Sequence, residues 1–131
     1  MRTGTELSIF TQTYQLAKGA AGAFFQKYDD EIEAFLDDKA GMSKVMYGNL
    51  VQMLDNIEFL AWLLNNDYIT LKGADRILYT QLEHVLDEAA LIIEKANPPA
   101  SEYFAKYYPE ITKVWVPDNK DLQKSLLPPL D

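Results

Sequence analysis

The sequence predicts an all-α protein: an antiparallel bundle of three long helices, followed by a short aromatic-rich C-terminal helix and an irregular, proline-containing tail. Three observations predict it. Apolar residues recur at spacings of three and four over long stretches, which aligns them along one helix face. Serine, threonine, asparagine, glycine and proline interrupt those stretches where a helix would begin or end. No stretch alternates apolar and polar residues for long enough to compete as a strand.

The first helix is expected over about residues 6–38. Leu7, Phe10, Tyr14, Ala17, Ala21, Phe24, Phe25, Tyr28, Ile32 and Phe35 form its apolar stripe. Gly19 and Gly22 each cost about 1 kcal/mol relative to alanine in a helix. The stripe keeps its phase across both, so one helix is expected and not two. The small residues of Lys18-Gly19-Ala20-Ala21-Gly22 would let a second helix approach closely; with no preceding strand and no following Lys-Ser/Thr, they do not make a phosphate loop. Beyond them, Asp29, Asp30, Glu31, Glu33, Asp37 and Asp38 lie off the stripe. Acids near a helix C-terminus oppose the helix dipole by a few tenths of a kcal/mol each, so tertiary packing has to override them.

Gly41 is expected to end this helix in a left-handed conformation. Ser43 then caps a second helix over 44–65, whose inward face is Met46, Leu50, Met53, Leu54, Ile57, Leu60, Ala61 and Leu64. Asn65-Asn66-Asp67 forms the exit. Thr70 is expected to cap a third helix over 71–96, with Ala74, Leu78, Leu82, Val85, Ala89, Ile92, Ile93 and Ala96 inward. Asn97-Pro98-Pro99 stops it. The C-terminal segment, 101–131, is less regular. Ser101 would cap a short helix carrying Tyr103, Phe104, Tyr107 and Tyr108, and Pro109 would kink it or open a new turn through Ile111 and Trp115. Another short helix is expected near 118–126, before Pro128-Pro129.

A chain of 131 residues fits one domain over its whole length. It contains no cysteine, which removes disulfides and thiolate chemistry. Its formal charge of −8 argues against direct contact with nucleic acid or an anionic membrane. No apolar run approaches the roughly 20 residues that span a bilayer, and Met1-Arg2-Thr3-Gly4-Thr5-Glu6 has no apolar stretch behind it, as a signal peptide would. A cytoplasmic location is the expectation.

Two sets of residues invite a functional reading. Glu58 projects between Leu54 and Trp62 with Asp55 one turn earlier, so partial burial should raise its pKa. It could act as a general base or, together with Glu83 and Asp87 of the third helix, hold metal ions; a carboxylate bonded to a tyrosine hydroxyl or an arginine is the simpler account. Glu83, Asp87 and Glu94 share one row opposite the apolar stripe, where a solvated face is the simpler account. His84, the only histidine, directly follows Glu83 and so does not complete a Glu-x-x-His metal motif. The second set is the aromatic group Tyr103, Phe104, Tyr107, Tyr108 and Trp115. Such residues are enriched at interaction hot spots, and they also serve to close the end of a bundle.

The hairpin from Asn49-Leu50 through Glu58-Phe59-Leu60-Ala61 and Asn66-Asp67-Tyr68-Ile69 resembles small helical proteins of bacteria and their phages. It implies no more than a generic helical hairpin. The leading expectation is a non-enzymatic interaction module, a small regulator, inhibitor or adaptor that docks an acidic helical surface on another protein with a basic surface. Its contact residues would come from the aromatic group and from Glu83, Asp87 and Glu94. No cofactor is implied. The alternatives are a carboxylate-metal enzyme using Asp55, Glu58, Glu83 and Asp87, and a structural homo-oligomer, for instance a homodimer.

Overall fold

The computed structural model describes residues 4–66 and 74–115, with side chains described throughout except at 4–11, 13, 14, 16 and 74–81. Five helices occupy these residues: α1 (Gly4–Leu36), α2 (Lys44–Asn65), α3 (Ala74–Ala96), α4 (Ala100–Tyr107) and α5 (Ile111–Val114). No strand occurs among the described residues. Thr70, the expected cap of α3, and the tail from Val116 onward lie outside them.

α1 runs continuously through Gly19 and Gly22, and its irregularity falls later, at Tyr28 (φ −111°, ψ 17°). Among the described residues nothing approaches the two glycines: a Cβ built at either meets no atom within 4 Å, and it is Ala17 and Ala21 that are buried. Replacing both glycines with alanine should therefore raise stability by about 0.5–1 kcal/mol each, read as a shift in urea midpoint; a loss would mean that their backbone is not helical in solution.

The end of α1 also departs from the expected pattern. Asp38, not Gly41, takes the left-handed conformation (φ 61°). The Lys39 N–H donates to the Ala34 carbonyl at 2.8 Å and the Asp38 N–H to that of Phe35 at 3.3 Å. This pairing is a Schellman turn, and it satisfies the free carbonyls of the helix three residues before Gly41. Aspartate tolerates the conformation better than most residues do. Lys95 of α3 pairs with the Asp38 carboxylate and lies 5.8 Å from the Phe35 ring centre.

α2 begins as expected. Ser43 is extended, and its Oγ accepts from the Met46 N–H at 3.1 Å. The Ser43 N–H and hydroxyl both donate to Glu31 of α1, at 3.1 and 2.8 Å, so one acid of the α1 run closes the α1–α2 turn. Met46, Leu50, Met53, Leu54, Ile57, Leu60 and Ala61 are fully buried; each large side chain among them contributes about 1.5–3 kcal/mol by leaving water. Leu63 is buried where Leu64 was expected, with Leu64 only partly so.

α1 packs on α2 and on α3, α4 packs on α3, α5 packs on α2, and α4 and α5 touch each other. The C-terminal pair thus bridges α3 and α2. That bridge widens the buried arc of α3, which accounts for Leu86 and Ala90, both outside the expected stripe; Leu63 of α2 is buried on the flank turned away from Glu58, Asn65 and α5. Ser101 does not cap α4. The helix starts two residues earlier than that cap implies, at Ala100 behind Pro99, and Glu94 reaches from α3 to accept from the Ala100 N–H at 2.6 Å.

Candidate functional site

The acids singled out from the sequence are largely occupied in holding the C-terminal segment. Glu58 accepts from two backbone N–H groups at the start of α5, Ile111 at 2.8 Å and Glu110 at 3.1 Å. Among the described residues its partners are peptide groups and not a tyrosine; both arginines, Arg2 and Arg76, lie outside the described side chains. Asn65 donates to the Glu110 carbonyl at 3.0 Å and to its carboxylate at 2.7 Å, and Lys113 stands 3.4 Å from the other Glu110 oxygen. Burial pushes the Glu58 carboxyl up from its ordinary value; the two N–H bonds and Lys113 oppose that rise, and the nearby Glu110 charge adds to it.

On α3, Asp87 accepts from the Trp115 indole N–H at 3.1 Å, and Glu94 holds the first turn of α4 as described above. Glu83 is half-buried and also engaged. The row Glu83, Asp87 and Glu94 is thus not simply a solvated face. Asp55 is exposed, yet it takes a hydrogen bond from the buried Tyr108 hydroxyl. Tyr108 in turn bonds Tyr103, whose hydroxyl lies 2.9 Å from that of Tyr47. Burial above all pushes both the Tyr103 and Tyr108 phenols above their usual range; Tyr47 adds to it at Tyr103, where the Tyr108 bond opposes it, and Asp55 adds to it at Tyr108. His84 is exposed. Among the described residues, no three His, Asp or Glu side chains converge closely enough to hold a metal ion.

The aromatic group mostly serves the interior. Phe104, Tyr108 and Trp115 are buried, with the Phe104 ring 5.9 Å from Tyr108 and 5.5 Å from Trp115. Burial removes these three from the outer surface, Tyr103 is half-buried, and Tyr107 is 52% exposed. A second aromatic pair faces outward on α2, where Phe59 and Trp62 stack with ring centres 6.2 Å apart.

A concavity lies elsewhere among the described residues, between the second half of α1 and α3. It is an open groove of about 400 Å³. Phe25, Ile32, Leu36, Leu91 and Ile92 make its floor, and Asp29, Glu33, Asp37 and Glu88 its rim. Leu36 and Leu91 are 37% and 42% exposed, so the floor is only half withdrawn from water. The rim carboxylates make no salt bridge or side-chain hydrogen bond among the described residues, unlike Glu31 and Asp38 beside them. No protein-family model, curated protein or solved structure matches the chain.

Sequence reasoning noted the acids of α1 but not the groove. The available signal was their position at the dipole-opposed end of a helix, where no basic residue stands in the last turn. The opposite wall, Glu88 and Leu91, is more than 50 positions away and comes from a different helix.

Proposed function

We propose that this chain is a non-enzymatic interaction module, a small regulator, inhibitor or adaptor of bacterial or phage type, which docks an acidic helical surface on a partner protein in the cytoplasm. In this reading the three long helices form an antiparallel frame, and the C-terminal segment stiffens it. One observation carries the proposal: four carboxylates without side-chain partners among the described residues surround an apolar floor that stays half exposed. Unpaired acids at the end of α1 do nothing for the helix that carries them. An apolar floor left open to water costs solubility and favours association. Both features make sense on a face that is covered when the protein works. The acids named from the sequence, Asp87 and Glu94, are committed within the chain and leave that role to the α1–α3 face.

The test is native mass spectrometry on tagged protein captured gently from its source cells, repeated at rising salt. A second polypeptide whose retention falls as ionic strength rises is the expected result, because charge steering is screened. A bare chain carrying stoichiometric divalent metal would instead put the carboxylate-metal reading first. A bare symmetric oligomer would favour the structural one.

A further inference from the structure

We infer that the α1–α3 groove receives the apolar face of a basic amphipathic helix, with lysine or arginine flanking its leucine-like anchors, from the partner protein. The inference rests on the docking reading above and adds the chemistry of the occupant and its seat. From Phe25 to Asp37, just past the end of α1, this wall spans twelve steps of chain, about 18 Å at 1.5 Å per residue. That length suits three turns of a guest helix laid alongside, the helix-in-groove mode of recognition. Asp29, Glu33 and Asp37 follow one another at intervals of four, so their carboxylates rise along one edge at about 6 Å per turn. A guest with basic residues at the same interval meets them one for one, while Glu88 faces its other flank from α3.

Other occupants fit less well. Carboxylates a full turn apart are too widely spaced to share one small cation. A second copy of this chain would bring the same acidic rim, and a further −8 of charge, against the first. Nucleic acid and anionic lipid are repelled for the same reason. A purely apolar guest would leave four carboxylates partly desolvated and unpaired, which costs free energy.

The probe is a synthetic peptide of about 18 residues, built from leucine and lysine in a helix-period pattern. Its control is the same composition scrambled to destroy the apolar stripe. Binding is followed by heteronuclear NMR and by fluorescence anisotropy at low and moderate salt. We expect shifts centred on Ile32, Leu36 and Leu91, with the scrambled peptide at least about tenfold weaker, or about 1.4 kcal/mol. The double variant Glu33→Lys/Asp37→Lys should also weaken binding at least about tenfold. Both sites are exposed, and the change places cations at a helix C-terminus, so the variant should melt no lower than the parent. Leu91→Ser, also at an exposed position, should weaken binding without charge reversal.

Equal binding of the scrambled peptide overturns the inference, because charge alone would then suffice. So do shifts centred on Phe59 and Trp62. A partner from the source cells whose retention survives Glu33→Lys/Asp37→Lys and Leu91→Ser also overturns the groove while leaving the docking reading intact. A bare metal-bearing chain from those cells removes the docking reading itself.

Discussion

Truncating Phe104 to alanine is expected to cost about 3–5 kcal/mol of stability, the usual range for a fully buried aromatic ring. The ring is inaccessible to water and sits between Tyr103, Tyr108 and Trp115, at 6.3, 5.9 and 5.5 Å between centres. None of these neighbours can fill the space without leaving its own place: Trp115 is tied to Asp87, and Tyr108 to Asp55 and Tyr103. The cavity should therefore stay largely open. Urea denaturation followed by tryptophan fluorescence measures the effect, since Trp115 reports directly on this corner. Tyr107→Ala, three residues away and half exposed, should change stability by no more than about 0.5 kcal/mol. If Phe104→Ala cost less than about 1 kcal/mol, α4 would have to unfold separately from the three long helices.

Glu58→Ala should cost about 2–3 kcal/mol, because it leaves two backbone N–H groups without their charged acceptor. Glu58→Gln should recover part of the loss. The two N–H groups bond to different carboxylate oxygens, so an amide in the same place keeps the bond from Ile111 or from Glu110 and turns its NH₂ toward the other N–H donor. The pH dependence gives a second reading of the same site. Burial raises the folded-state pKa of Glu58 above its ordinary value near 4.5. Between those two values the unfolded chain has released a proton that the folded chain still holds. Stability from this group therefore falls as pH rises through that window and levels off above it. Glu58→Gln has no such proton, so the difference in urea midpoint between variant and parent should be largest on the acid side and shrink toward neutrality. Because the carboxylate is only half-buried, the change should be small relative to the loss of the hydrogen bonds. A difference that does not vary with pH would mean that the carboxyl titrates alike folded and unfolded.

The elements whose signals are local were the ones legible in the sequence. α2 begins and ends where Ser43 and the asparagine pair place it, because a cap hydroxyl and a four-residue period act within one turn. The end of α1 was misplaced by a few residues for a similarly local reason. Glycine is the commonest left-handed terminator, but the hydrogen bonds of Lys39 and Asp38 close the helix earlier on an aspartate. The width of the buried faces was not legible. A stripe shows which side of a helix faces inward, not how many neighbours lie there, and the burial of Leu86 and Ala90 depends on the C-terminal pair that spans α3 and α2. Glu58 could be recognised as a carboxylate among apolar groups. Its partners could not, since they are backbone groups 52 and 53 positions away, and backbone groups carry no residue signature. The groove failed for the same reason: only its α1 wall lies in one stretch of sequence.

The contacts that reverse the chain between α1 and α2 join residues 12 and 21 positions apart, Ser43 to Glu31 and Asn49 to Tyr28. Those that seat α5 on α2 reach back 45 to 53 positions. On a growing chain, which folds as it emerges, the first hairpin can close as soon as α2 is made. The side of α2 that receives α5 then waits, uncovered, until the segment around Ile111 has been synthesised. For that interval Glu58 and Asn65 lack the groups they will hold, and the flank of α2 beside them stays open to water. A chain that stalls or is cut before Trp115 would keep that flank open for good.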